Sequence, residues 1–373
     1  MIYLDNAATT KPSNEVIRHV AQSLEEDFFN PASLHRGGLN ASNKLIFAKE
    51  EILKVLNAQN MGQIYFTSGG TESNNIAIQG IPTNKKQVIT TMSEHPSVLN
   101  VVKSLKSRGY KVDYVPLNKY GVVIPSELKP LLSQETALVA IMHTNNETGA
   151  INDLKAIGEL IKSHSNALFH VDAVASFTKC PINIQYIDTL SISSHKIHGI
   201  GGIGAIYIKK GVNIKPIFYG GSAHNAVRPC TENVTNATAF ALAACLANKD
   251  MDKNYAHIQG LNKEMQSINV KKLHINSPTN INCNDVNYLP YILNISITGT
   301  KGQVIVNELS EIGIYISTGA ACNGKGINIL KNLGYEQHVY DSALRISFSK
   351  YNTIQEIKQV KQALTDISSR QTY

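Results

Sequence analysis

No two cysteines in this 373-residue chain form a C-x-x-C pair, and the five present (Cys180, Cys230, Cys245, Cys283, Cys322) are an odd number. A zinc site and a secreted disulfide framework are therefore both disfavoured, and reduced thiols in a cytosol are expected. Like charges never run to five in a row. The excess of Lys and Arg over Asp and Glu, 35 against 28, is scattered, so direct nucleic-acid binding is not expected. No window reaches the roughly 18 apolar residues of a membrane span. The opening MIYLDNAATTKPS lacks a charged segment followed by an apolar stretch, and a cytoplasmic location without membrane insertion is the expectation. With 43% hydrophobic and 17% charged residues the composition is that of a globular protein. The length exceeds one core of usual size, which predicts two domains.

Apolar, β-branched runs at 63–66, 87–91, 111–117, 137–143, 167–173, 189–194 and 205–210 alternate with helical patterns over 41–57, 71–80, 95–108 and 153–165. That order predicts an α/β fold with a mostly parallel sheet. In 153–165, Leu154, Ile157, Leu160 and Ile161 share one helix face. Ligand crevices of such sheets lie beyond the carboxyl ends of the strands, and the residues just past these runs, at 67–71, 93–95, 144–148, 172 and 193–196, are polar. After Gly220 and Gly221 a helical tract near 234–268 leads to an Asn-rich stretch at 276–288. Strand-like runs follow at 291–297, 313–318 and 343–349, with a helix near 301–311. The reading is a large domain over 15–245 and a smaller α+β domain formed by 1–14 and 246–373.

FTSGGTESNN (66–75) follows a strand and opens a helix, where backbone N–H groups and the helix dipole face an anion, most naturally a phosphate. It lacks a Walker ending, and alone it reads equally as a turn capped by Thr71. SISSHKIHGIGGIGAIYI (191–208) puts Lys196 at a strand end before a Gly-rich turn. Desolvation and nearby positive charge there would let the amine form a Schiff base, although a lone lysine is more often a solvated one. Asp172, in HVDA, ends another strand; it can keep a pyridine nitrogen protonated, or be a cap or an ion pair. His95, in SEHPSV, opens a helix, where an imidazole can stack on a flat ring or shuttle protons, or do neither.

A phosphate turn, an imidazole platform, an acid for a pyridine nitrogen and a Schiff-base lysine, each at a strand end and in this order, describe a site for pyridoxal 5'-phosphate (PLP). The chain resembles the cysteine desulfurases, in the class V aminotransferase branch of the PLP-dependent transferases of fold type I. The resemblance runs through YLDNAATT (3–10), NPASLH (30–35), FTSGGTESNN, SEHPSV, HTNNETG (143–149), HVDA, SSHKIHG (193–199), RPCTEN (228–233), STGAAC (317–322) and LRISFS (344–349). It implies that Lys196 carries PLP, Asp172 faces the pyridine nitrogen and His95 stacks on the ring. Gly70, Thr71, Ser193 and His195 would hold the phosphate, joined by Thr231 from the other subunit of a homodimer. Asn146 would lie near the ring hydroxyl and the substrate, and Arg345 would pair with the carboxylate of L-cysteine through a bidentate fork. Cys322 would attack the substrate sulfur, hold it as a persulfide and pass it to an acceptor protein, for iron–sulfur clusters or tRNA thiolation. No metal is implied.

The chain departs from that family in places. Ala175 stands where a glutamine usually bonds the ring hydroxyl, and GGSAHNAVRPCTEN (220–233) replaces a Q-E-R-G core with Ala223, His224, Asn225 and Ala226 and a glycine with Cys230. The stretch after Cys322 is also shorter, by about three residues on the resemblance. Two alternatives follow: a selenocysteine lyase or other class V lyase, and a low-activity paralog that serves as a binding or scaffold subunit. Cys180, Cys245 and Cys283 are expected to be small buried residues.

Overall fold

In the computed structural model, which describes residues 1–221, 227–279, 287–318 and 328–370, the chain opens on a two-residue strand, β1 (Ile2–Tyr3). Helices α1 (Asn14–Glu26) and α2 (Arg36–Val55) follow. Seven strands then build one sheet: β2 (Gly62–Thr67), β3 (Gln87–Thr90), β4 (Lys111–Tyr114), β5 (Thr136–Met142), β6 (Leu168–Asp172), β7 (Thr189–Ser193) and β8 (Gly204–Lys209). Their spatial order is β2-β8-β7-β6-β5-β3-β4. From β7 to β4 every neighbouring pair is parallel, while β8 runs antiparallel between β7 and β2. The α/β fold with a mostly parallel sheet read from the sequence is present.

Connecting helices α3 (Gly70–Gln79), α4 (Pro96–Ser107), α5 (Pro125–Leu128) and α6 (Leu154–His164) cover the sheet. Every residue of β5 is buried, as a strand covered on both faces requires. Its side chains alternate: Val139 and Ile141 join the core under α2 and α6, whereas Leu138 and Ala140 pack with Val98, Val102 and Leu105 of α4. That is the two-residue period of a strand dividing its side chains between two layers. Helix α6 starts where Asp153 accepts the N–H groups of Lys155 and Ala156, each at 3.0 Å. This start turns Leu154, Ile157 and Ile161 inward, with Leu160 at the margin.

The tract read as one helix over 234–268 is two, α7 (Val234–Lys249) and α8 (Met251–Gln266), broken at Asp250. The break has a packing reason. Ala237 and Phe240 of α7 sit in the core of the large sheet, but Ile258, Leu261 and Met265 of α8 belong to a second core. One straight helix cannot bury both faces in two places.

The second core lies on an antiparallel sheet of β9 (Leu273–Ile275), β10 (Ile292–Ile297) and β12 (Ala343–Ser347), in the order β12-β10-β9. Between β10 and β12 come α9 (Gly302–Glu311), β11 (Ile314–Tyr315), α10 (Ile329–Asn332) and α11 (Gln337–Tyr340), and α12 (Ile354–Arg370) closes the chain. Of the run 313–318, read as a strand of the smaller domain, only Ile314–Tyr315 is one. It pairs in parallel with β1 instead, and Ser317 makes a single bridge to Arg345. Ile2 and Leu4 thereby enter the second core from the opposite end of the chain.

One glycine matters for the site. A Cβ on Gly204 would lie 2.7 Å from both Gly69 Cα and Ile192 O, so only glycine lets β8 begin this close to the turn at 68–70.

Candidate active site

The carboxyl ends of all strands in the large sheet except β8 share one edge, and the turns there close on a cavity of about 490 Å³. Gly70, Thr71, His95, Asn146, Asp172, His195, Lys196 and Arg345 all line it. Arg345 arrives on β12 and Ile329 on α10, so both cores contribute walls. Ser193 stands just behind the wall: its Oγ is buried, has no partner among the described residues and lies 4.0 Å from where a Gly69 Cβ would be. Thr231 is not brought to this cavity. It lines a separate depression of about 560 Å³ with Asn30, Lys49 and Gly220. Cys322 and Cys283 lie outside the described residues.

Thr71 is not a helix cap. The cap position of α3 is Gly69, which has no side chain to offer the first N–H groups, so their capacity for an anion is kept.

Lys196 follows β7 through a tight turn, and its Nζ donates to Ala8 O at 2.7 Å and to Ala7 O. Burial, with Arg345 adding, lowers the amine to about 8, against the pull of Asp5, Asp172 and Glu147. A usable fraction is therefore neutral, and nucleophilic, near neutral pH.

The ring of His95 is fixed from below. Its Nδ1 accepts the Ser97 N–H at 3.1 Å and meets Ser97 Oγ at 2.8 Å. Burial holds its pKa below the usual histidine value although Asp172 opposes the shift. The neutral ring then carries its proton on Nε2.

Asp172 accepts the Val174 N–H on Oδ1 at 3.0 Å and Asn74 Nδ2 on Oδ2 at 2.8 Å. Asn74 also donates to Ser97 Oγ at 2.8 Å, and its Oδ1 accepts from His170 Nε2 at 3.0 Å. Burial pushes His170 down to about 4, so it is a neutral donor here. Asn74 thus orients Asp172 directly and His95 through Ser97. It sits inside the motif at 66–75, yet nothing local marks it, because its role exists only where α3 meets β6 and α4.

Asn74→Ala removes this hub. It leaves Asp172, Ser97 and His170 each one partner short, which costs roughly 1–3 kcal/mol of stability. Urea unfolding should show that loss, together with a kcat reduced about tenfold or more; unchanged unfolding and turnover would show that the chain of bonds is idle.

Glu94 is a second residue the motifs did not reveal. It is fully buried at the cavity wall, with Oε1 accepting from Met142 N–H at 3.0 Å and Thr91 Oγ1 at 2.8 Å and Oε2 without a partner among the described residues. Burial, reinforced by Asp172, raises it to about 8 against those two donors, so it is neutral at pH 7. The third unforeseen feature surrounds Arg345, whose Nη1 donates to Glu147 Oε1 at 2.9 Å and Asn146 O at 3.1 Å, and whose Nη2 donates to Asp5 Oδ1 at 3.2 Å.

These groups fit pyridoxal phosphate: an uncapped helix start and a Ser193 hydroxyl without a partner among the described residues for the phosphate, a lysine of depressed pKa for the aldehyde, a bonded carboxylate and a neutral imidazole for the ring. Ala175 lines the cavity with a methyl group and provides no side-chain bond. Among the described residues no cluster of His, Cys, Asp or Glu is placed to hold a metal, and no helix is long and apolar enough to cross a membrane.

The family described as aminotransferase class-V matches residues 2–360. A cysteine desulfurase IscS of Methanosarcina thermophila is 34% identical over 378 residues, spanning 98% of this chain and 91% of its own. The solved structure of a NifS-like protein has a TM-score of 0.91 at 33% identity, over 99% of both chains. That of SspA in complex with cysteine has a TM-score of 0.80 at 28% identity, over 95% of this chain and 100% of the other.

Proposed function

Because this chain belongs to the class-V aminotransferase family and is a PLP-dependent cysteine desulfurase of fold type I, we propose that its own cavity takes sulfur from L-cysteine, releases L-alanine and loads Cys322. The observation that supports this most is Lys196, with its lowered pKa, in one cavity with His95, Asp172 and Arg345.

PLP, when bound, supplies an electron-poor ring that stabilises negative charge at the substrate's α-carbon. Gly70, Thr71, Ser193 and His195 would hold its phosphate, and Asp172 would keep a proton on the pyridine nitrogen. His95 would offer its neutral ring to the cofactor's. Asn146, whose Oδ1 is buried and has no partner among the described residues, would lie near the ring hydroxyl and the substrate. Arg345 receives the substrate carboxylate. Lys196 Nζ, tuned near neutrality, takes and returns the α-proton.

The Cys322 thiolate attacks the substrate sulfur. An S–S bond forms as the C–S bond breaks, the electron pair passes to the substrate carbon, and a proton completes alanine. The resulting persulfide goes to an acceptor protein in iron–sulfur cluster assembly or tRNA thiolation. Two separate apolar cores support a division into 15–245 and 1–14 with 246–373.

A homodimer is part of this reading. Leu34, Leu39, Ile46 and Phe47 are exposed, and Ile46 borders the depression that holds Thr231. A second copy covering this face would bring Thr231 to its neighbour's phosphate. Unpaired Cys180, Cys230 and Cys245 suit the cytoplasm.

Incubating the holoenzyme with L-cysteine tests the function. Alanine and transferable sulfur should appear in equal amounts, and sedimentation should show a dimer. A yellow protein that yields no alanine would support the low-activity paralog, and turnover confined to selenocysteine the lyase.

A further inference from the structure

Arg345 reaches the cavity with its charge already claimed. Its guanidinium is bracketed by two carboxylates, Glu147 on Nη1 at 2.9 Å and Asp5 on Nη2 at 3.2 Å. Nε is buried and has no partner among the described residues, and the guanidinium is open to a ligand only where Arg345 lines the cavity. The pair is unequal: the Glu147 side chain is 8% exposed and that of Asp5 24%. Glu147 is further fixed by Asn146, whose Nδ2 donates to the same Oε1 at 3.1 Å.

A substrate carboxylate arriving from the cavity would be the third anion on one cation whose side chain is only 7% exposed. Like charges this close do not stay ionised together. One of the two resident carboxylates has to leave or become neutral. Asp5 keeps some contact with solvent, whereas Glu147 has no exit.

We propose that Glu147 is a positioning residue that takes up one proton from solvent as the substrate carboxylate docks on Arg345. The inference rests on the reading of Arg345 as the carboxylate's seat. Protonation turns Glu147 from a competing anion into a neutral acid whose Oε1 still accepts from Nη1, so the guanidinium stays in place while its charge is freed for the ligand.

The groups facing Glu147 are Arg345 on β12, Asp5 after β1 and Lys196 after β7, with His95 at the start of α4 facing Arg345. Burial raises Glu147 to about 7, Asp5 adds to the rise, and Arg345 and Lys196 oppose it. Without ligand it is therefore mostly ionised at pH 8 and mostly protonated at pH 6. The folded, empty enzyme stands close to the point where one added negative charge changes its state.

Propionate is the probe, because it has the carboxylate but no amine to displace Lys196. Binding to the holoenzyme is followed by calorimetry in two buffers of different ionisation heat, HEPES and Tris, which counts protons taken up. Wild type should take up close to one proton per propionate at pH 8 and almost none at pH 6, with affinity falling about tenfold between them. Glu147→Gln, checked for folding by its cofactor absorbance, should bind propionate with no proton uptake and a flat pH profile. Propionate binding by the wild type without proton uptake would overturn the proposal and mean that Asp5 swings away instead. So would a Glu147→Gln variant that keeps the slope. Arg345→Ala separates the two readings: if it binds propionate as well as wild type, the carboxylate seat itself is elsewhere.

Discussion

Lys196→Ala should abolish the visible band that borohydride reduces, and alanine release from cysteine should fall by at least about a thousandfold. The amine is held by Ala7 and Ala8 carbonyls at the cavity wall, and its pKa of about 8 makes capture of an aldehyde pH-dependent in a defined sense. Below pH 8 the neutral fraction rises about tenfold per unit, so reconstitution of the apoenzyme with PLP should accelerate up to pH 8 and level above it. A rival exists. Burial also lowers Lys179, to about 7, but its Nζ lies 5.6 Å from the Tyr291 ring centroid and it does not line the main cavity. Peptide mapping after borohydride reduction decides: a pyridoxyl group on Lys179 would displace Lys196 from the site.

Cys322→Ser should still bind cysteine and shift the cofactor spectrum, since Lys196, Asp172 and Arg345 are untouched, while alanine release falls by about two to three orders of magnitude. The described thiols support this by contrast. Cys180 is buried and pushed up to about 11 by that burial. Cys245 is raised to about 11 by burial and by Glu51, whose Oε2 lies 3.1 Å from its Sγ. At pH 7 each is a thiolate only about one part in ten thousand, too little for a nucleophile. Replacing either should leave turnover nearly unchanged. Cys230 is different: it is exposed, and its Sγ accepts from the Arg228 guanidinium. Trapping the enzyme after cysteine treatment and locating the extra sulfur by mass spectrometry separates the two. A persulfide mainly on Cys230 would mean that the altered segment at 220–233 has taken over the nucleophile.

Much of this protein is legible without coordinates because its signals are local. Apolar β-branched runs mark the seven strands to within two residues except at 111–117, whose second half leaves the sheet after Tyr114. The order of motifs at strand ends was enough for the α/β fold, the family and the cofactor, since parallel connections bring every such end to one edge of a sheet. What the sequence by itself determined is therefore the fold, the family, the cofactor and part of the cavity lining, Gly70, Thr71, His95, Asn146, Asp172, His195, Lys196 and Arg345.

How those residues are held was decided by tertiary structure alone. The Asn74 hub needs α3, α4 and β6 to converge, the break at Asp250 depends on two cores competing for one helical tract, and β1 finds β11 across some 310 residues. Glu94, Glu147 and Asp5 are ordinary acids in the sequence; burial makes the first two unusual, and the crossing of β12 with the N-terminal segment puts Asp5 on Arg345. Thr231, though described, stays away from the cavity in a single chain. Periodicity and turn chemistry are properties of neighbours along the chain, whereas desolvation, charge competition and hydrogen-bond hubs are properties of neighbours in space, and only the folded chain supplies those.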